Sequence, residues 1–191
     1  MTNAEHQNEN RKIITVDRSS RKNESDKERF LKGLPESLRN ETRPLKVAFY
    51  ARVAVPHSEQ TISFDLQTDM FMRQIENIPN WKFAGIYKDE CSGMKDPKSR
   101  KAMCEMIEDC KAGKIDLILT QSVSRFSMNR VDGLLTIKML ERLNPPVGVL
   151  FESEGLYTLD SNDNFLLEFL SAIAEEESRM KAQHGGGGHR W

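Results

Sequence analysis

Apolar and polar positions change period repeatedly along the chain, and the changes mark out elements. "KVAFYAR" (46–52) is a short, mostly apolar run that reads as a strand. Residues 59–77 take a helical period, with Ile62, Leu66, Met70 and Ile75 near one face. "WKFAGIYK" (81–88) is a second strand. Ser99 is placed to cap a helix carrying Met103, Met106, Ile107 and Cys110 at i, i+3, i+4 and i+7, which Gly113 should stop. "DLILTQ" (116–121) is apolar without alternation, as a strand covered on both faces would be. A helix over 131–143 should end at Pro145 and Pro146, and "VGVLFES" (147–153) is a fourth strand. From Asn164 to Met180 an amphipathic helix carries Phe165, Leu166, Phe169, Leu170 and Ile173. The β-α-β-α-β-α-β-α order predicts an α/β fold: a mainly parallel sheet of about four strands with helices on both faces.

The ends differ from this core. Residues 1–45 are rich in Asn, Ser, Glu, Lys and Arg and keep no sustained period, so a disordered or weakly helical leader is expected. Residues 182–191 contain four consecutive glycines and read as a flexible tail, leaving 46–181 as the folded domain. No apolar run approaches the ~20 residues that span a membrane, so no membrane partner is expected. Three cysteines, Cys91, Cys104 and Cys110, form no C-x-x-C pair; a reducing, cytoplasmic setting fits them best. The net charge of −1 hides an uneven distribution, because residues 46–180 carry 16 basic against 21 acidic residues. Bulk charge therefore gives no nucleic-acid footprint.

In open parallel sheets ligands bind at the carboxyl ends of the strands, so the polar residues delivered there matter most. The first strand ends at Arg52. The second ends in "KDECSG", with Asp89 and Ser92, and the third in "QSVSRFSMN", with Ser122, Ser124, Arg125 and Asn129. Arg100, in the first turn of the next helix, leans toward the same edge. Arginines converging with hydroxyls and one carboxylate suit a phosphate group, whose oxygens a guanidinium fork matches in two-point contact. Taken singly, each arginine is better explained by a helix cap or a surface ion pair; their common edge is what points to function. There is no G-x-x-x-x-G-K-[ST] and no G-x-G-x-x-G. The histidines His6, His57, His184 and His189 are scattered, so neither a metal site nor a cofactor is expected.

"YARVA…EQ…SFDLQ", "KDECSG", "KAGKIDLILTQSVSRFSMN" and "GLYTLDSNDNFLLEFLSAIAEEES" resemble the catalytic domain of serine recombinases. That family contains resolvases, DNA invertases, large serine integrases and transposon recombinases, and "SRF-x-x-N" with "TLDS" points to the large, mobile-element branch. The resemblance implies a resolvase-like fold and metal-independent transesterification on double-stranded DNA. A serine just after the first strand attacks the phosphodiester, arginines hold the phosphate, and the enzyme works as a tetramer of paired dimers. By position, Arg52, Arg100 and Arg125 match active-site arginines. Asp89, Ser92, Gln60, Gln67, Ser124 and Asn129 match supporting polar positions, and Glu177 matches an acid at the start of the dimerisation helix.

Two departures fall on the site itself. The nucleophile position, last in the family's "Y-x-R-V-S", is Ala54, and the arginine usual three residues after Arg125 is Met128. Ser58 lies four residues beyond Ala54, across Pro56, too far along the chain to substitute when attack requires atoms ~3–3.5 Å apart. Family members also continue past "AEEESR" into a long helix and a DNA-binding region, whereas here Met180–His184 runs into Gly185, so a truncated helix is expected. Three readings follow: a recombinase catalytic domain lacking its nucleophile, a non-enzymatic oligomerisation or dominant-negative module on the same fold, or an unrelated doubly wound phosphate-binding domain.

Overall fold

The computed structural model describes residues 28–54, 58–91, 100–127, 129–160, 165, 169–175 and 178, with side chains throughout except at 54, 58–65, 91 and 130. Contacts divide the chain into two units, 1–34 and 35–191. The first contributes helix α1 (28–33). The second opens on α2 (Glu36–Arg39) and then alternates: β1 (Leu45–Ala54), α3 (Ser58–Asn77), β2 (Trp81–Cys91), α4 (Lys101–Lys111), β3 (Leu117–Thr120), α5 (Val123–Phe126), α6 (Arg130–Glu141), β4 (Gly148–Phe151) and β5 (Leu156–Tyr157). A last helical segment, α7, covers 169–175.

The strands form one sheet in the order β2-β1-β3-β4-β5. The first four are parallel, as the alternating periods predict, and the fifth adds antiparallel to β4. That two-residue strand escaped the sequence reading because it is too short to show a period. Gly155, at φ +64°, turns the chain into it. Gly148 opposite leaves room for the Tyr157 ring, which a Cβ there would overlap.

Alternation along β1 decides which helix lies on which face. Phe49 stacks on Phe71 of α3, with ring centroids 5.0 Å apart, so α3 covers that face. Tyr50 points the other way, into the main core with Met103 and Met106 of α4, Ile137 and Leu140 of α6, and Phe169 and Ile173 of α7. The buried face of α3 is Phe71 and Ile75, continued by Ile78 just past its end. The expected stripe is therefore wrong at two positions: Leu66 and Met70 are 59% and 61% exposed. Both the 66/70 and the 71/75/78 rows satisfy a helical period, and contact with Phe49 selects the second.

Helix ends follow local chemistry. Gly113 takes φ +68° after α4, with its N–H on the Cys110 carbonyl and the Lys114 N–H on that of Asp109, the paired bonds of a Schellman motif. The start of α4 departs from expectation. Arg100, not Ser99, occupies the cap position, and its side chain makes no capping bond. The caps come instead from Asp89 of β2, whose carboxylate accepts from the Ala102 and Met103 N–H groups at 2.9 and 3.0 Å. A capping group supplied from a neighbouring strand leaves no signal in the helix's own sequence.

One buried carboxyl sits just beyond β4. Gln74 of α3 donates to Glu152 at 2.7 Å, burial pushes the Glu152 carboxyl up, and the Gln74 bond partly opposes that. A raised folded-state value means the site favours the protonated form, so its contribution to stability is full in acid and fades as pH rises through that value. The Gln74 Oε1 is buried without a partner among the described residues. Glu152→Gln removes the ionisation and supplies an N–H donor for that oxygen. The variant should gain stability over the parent as pH rises through the Glu152 titration, measured as urea midpoints from pH 4 to 8; a constant difference across that range would show that Glu152 does not titrate as described.

Candidate functional site

Connectivity places the ligand edge before any side chain is considered. From β1 the chain passes through α3 to β2 on one side. From β2 it crosses back through α4 to β3 on β1's other side. This reversal opens a crevice at the carboxyl ends of β1 and β3, the usual ligand position in such sheets. Arg52 stands near the end of β1 and Ser122–Arg125 immediately follow β3.

Arg52 points to the same face as Tyr50, two residues before it. Its Nη2 donates to the Ser124 carbonyl at 3.1 Å. Arg125 returns a long contact, Nη1 to the Arg52 carbonyl at 3.5 Å. Ser122 caps α5 by accepting from the Arg125 N–H at 3.3 Å, and its hydroxyl lies 3.2 Å from that of Ser124. Arg100 reaches in from the start of α4, its Nη2 donating to the Phe126 carbonyl. Arg52 and Arg100 thus reach segment 124–126 from β1 and the start of α4, and Arg125 of that segment reaches back to β1.

Beneath them lies a buried polar group that ties β1, β2 and α4 together. Asp89, 2% exposed, pairs with Arg52 in the β1–β2 register. Besides the two α4 amides it accepts from the Tyr50 hydroxyl at 3.0 Å. Burial pushes the Tyr50 phenol up to about 12; the neighbouring Arg100 opposes that rise and Asp89 reinforces it. Tyr50 remains a neutral donor through the physiological range.

The arginines keep hydrogen-bonding capacity in reserve. The Nε atoms of Arg52 and Arg100 are buried and without a partner among the described residues. None of the ion pairs among the described residues involves Arg52, Arg100 or Arg125. Buried Nε donors left unused are costly unless an anion completes them. An oxyanion with several acceptor oxygens, held in two-point contact, is the natural complement.

Other expected site residues fall in different places. Asn129 spends its side-chain oxygen capping α6, accepting from the Val131 and Asp132 N–H groups at 2.9 and 3.3 Å. Gln67 lies on α3, across the sheet from Arg100. Ala54 is the last residue of β1, opposite Cys91 in register, and Gln60 is in the first turn of α3; their side chains lie outside the described set. Ser92, Met128 and Glu177 lie outside the described residues altogether. The sequence reading missed Tyr50 and Phe126. Tyr50 was available from its two-residue offset to Arg52, whereas the Phe126 contribution is a main-chain carbonyl and carries no sequence signal.

The class is thereby an open, mainly parallel α/β domain that gathers positive charge at its switch point. The chain belongs to the resolvase N-terminal domain family, whose model matches residues 47–190. Its structure is similar to that of a resolvase-family site-specific recombinase from Streptococcus pneumoniae, 24% identical, with a TM-score of 0.53 over 74% of this chain and 95% of that one. It is also similar to the N-terminal catalytic domain of TP901-1 integrase, 28% identical, with a TM-score of 0.54 over 71% and 98% of the two chains. No curated protein matches the chain. The serine-recombinase resemblance of the motifs and the observed fold therefore agree.

Among the described residues no group of three or more His, Cys, Asp or Glu side chains is placed to hold a metal ion. Nor is any helix among them long and apolar enough to cross a membrane.

Proposed function

We propose that this chain is a DNA phosphodiester-binding recombinase domain whose nucleophile position is filled by alanine. The observation that carries the reading is the arginine cluster. Arg52, Arg100 and Arg125 meet at the switch point, and the buried Nε donors of Arg52 and Arg100 are unspent among the described residues. Such a cluster holds a phosphate and stabilises the added negative charge of phosphoryl transfer. Asp89 and Tyr50 position it, Ser124 supports it through its carbonyl, and Ala54 leaves it without an attacking group. By the family resemblance Gln60, Gln67, Ser92 and Asn129 are supporting positions, and Met128 stands where the family has one further positive charge.

A second reading, association with copies of the same fold, rests on a separate observation. Val131 and Leu135 stand one turn apart on α6 and are 64% and 63% exposed. An apolar pair of that kind is suited to cover by another helix. In a mixed assembly this chain would occupy a subunit position and cut nothing, a dominant-negative role.

Inorganic phosphate tests the first reading without requiring a DNA target. Followed by ³¹P line broadening, phosphate should bind the intact chain and weaken with added chloride. Arg52→Gln removes one charge-assisted donor pair and should lower affinity roughly ten- to a hundredfold. Lys111→Gln, on the exposed end of α4, should change nothing. Equal binding by parent and Arg52→Gln would sink the reading.

A further inference from the structure

A row of aromatic rings joins α7 to the arginine cluster. Phe165 and Phe169 lie with centroids 5.8 Å apart. Phe169 meets Phe151 of β4 at 6.1 Å, Phe151 meets Phe126 of α5 edge-on at 5.6 Å, and Phe126 meets Tyr50 of β1 edge-on at 6.1 Å. Each step lies within the range of favourable ring pairs. Tyr50, Phe126, Phe151 and Phe169 are all 0% exposed. A close-packed interior of this kind has little room to absorb a displaced ring locally.

Both ends of the row are anchored to something that matters. At one end Tyr50 donates to Asp89, and the Phe126 carbonyl receives the Arg100 guanidinium. At the other, Phe169 is seated on α6 by the absence of a side chain at Gly133. A Cβ there would stand 3.2 Å from the Phe169 Cζ and 3.0 Å from the Ser127 Cβ. Ser127 is itself buried and donates to the Asn129 carbonyl at 2.9 Å, so the same seat braces the segment that follows Arg125.

We propose that Phe126, Phe151 and Phe169 are positioning residues that make the geometry of Arg100 and Arg125 depend on where α7 lies. A displacement of α7, such as a second copy docking against it would cause, moves Phe169. The packed row passes that shift to Phe126, which carries the Arg100 acceptor and follows Arg125 directly in the chain. Phosphate affinity and α7 placement are then linked in both directions, since coupling between two sites is reciprocal. This inference rests on reading the arginines as a phosphate cluster.

The test separates the row from that reading. In the full chain labelled with ¹⁵N-arginine and ¹³C-tyrosine, the Arg100 Nε–H and Tyr50 ring signals report the cluster directly, with or without phosphate. Phe169→Leu shortens the ring at its α7 end, and Gly133→Ala pushes the same ring from the opposite side. Both should move the Arg100 and Tyr50 signals, and both should weaken inorganic phosphate binding, by roughly two- to thirtyfold. Phe71→Leu, a comparable loss on the other side of the sheet, should leave the signals and the affinity as they are; thermal melting confirms that each variant is folded. Arg100 and Tyr50 signals unmoved in both row variants, or moved equally by Phe71→Leu, would overturn the proposal. If the parent binds no phosphate, the cluster reading falls, while the signals alone still decide whether the row transmits.

Discussion

On the proposed reading, Ala54→Ser should let this chain form a covalent bond to DNA. The serine would attack the phosphorus and expel the 3′-oxygen, leaving a 5′-phosphoserine and a free 3′-hydroxyl. The expected gain is large because a nucleophile cannot be replaced by positioning alone. Losing one in a hydrolase costs on the order of 10⁶ in rate, about 8 kcal/mol of barrier. The position is favourable: Ala54 closes β1 two residues after Arg52, at the strand end where the arginines converge. The measurement is a protein–DNA adduct that survives denaturing electrophoresis, with the variant fused to a DNA-binding domain of known target so that cleavage has an address. Ala54→Ser with Met128→Arg restores the second missing group and separates two outcomes. Adduct from the single variant means the remaining arginines suffice, and adduct only from the double variant means the lost charge is also required. No adduct from either overturns the reading of position 54 as a vacant nucleophile site.

The strand-and-helix order was legible because each element announces its period, and the parallel sheet followed from that order. Arg52 and Arg125 were legible for a simpler reason: each lies at the carboxyl end of a strand that was itself legible. What stayed hidden depends on contacts between distant elements. The buried face of α3 is chosen by Phe49, not by α3, so the period alone selected Leu66 and Met70 wrongly. Asn129 looked like a site residue by its position after β3, yet its side chain closes the first turn of α6. Asp89 looked like a lone carboxylate beside arginines, and three of its hydrogen bonds turn out to go to Tyr50 and the start of α4. Main-chain acceptors such as the Ser124 and Phe126 carbonyls belong to every sequence equally. Only folding shows which of them face a guanidinium.

Asp89→Ala should be the most destabilising single change at the site, and its effect on binding tells structure from chemistry. The substitution removes the caps of α4, worth about 1 kcal/mol, and leaves the buried Tyr50 hydroxyl without its acceptor, which costs about 1–3 kcal/mol more. A total of roughly 3 kcal/mol corresponds to a fall of about 6–12 °C in melting temperature for a domain of this size. Tyr50→Phe alone should cost far less, because Asp89 keeps its two amide donors. The double variant should then cost less than the sum of the singles, since both remove the same hydrogen bond. Phosphate affinity supplies the decisive sign. If Asp89 acted only as a negative charge near the arginines, removing it would tighten phosphate binding through the more positive local potential. If it holds β1, β2 and α4 in the arrangement that aims Arg52 and Arg100, removing it loosens the cluster and binding weakens. Burial and three directed hydrogen bonds argue for the second, so a folded Asp89→Ala chain with weakened phosphate binding is the expected result. Tightened binding would show that charge outweighs position.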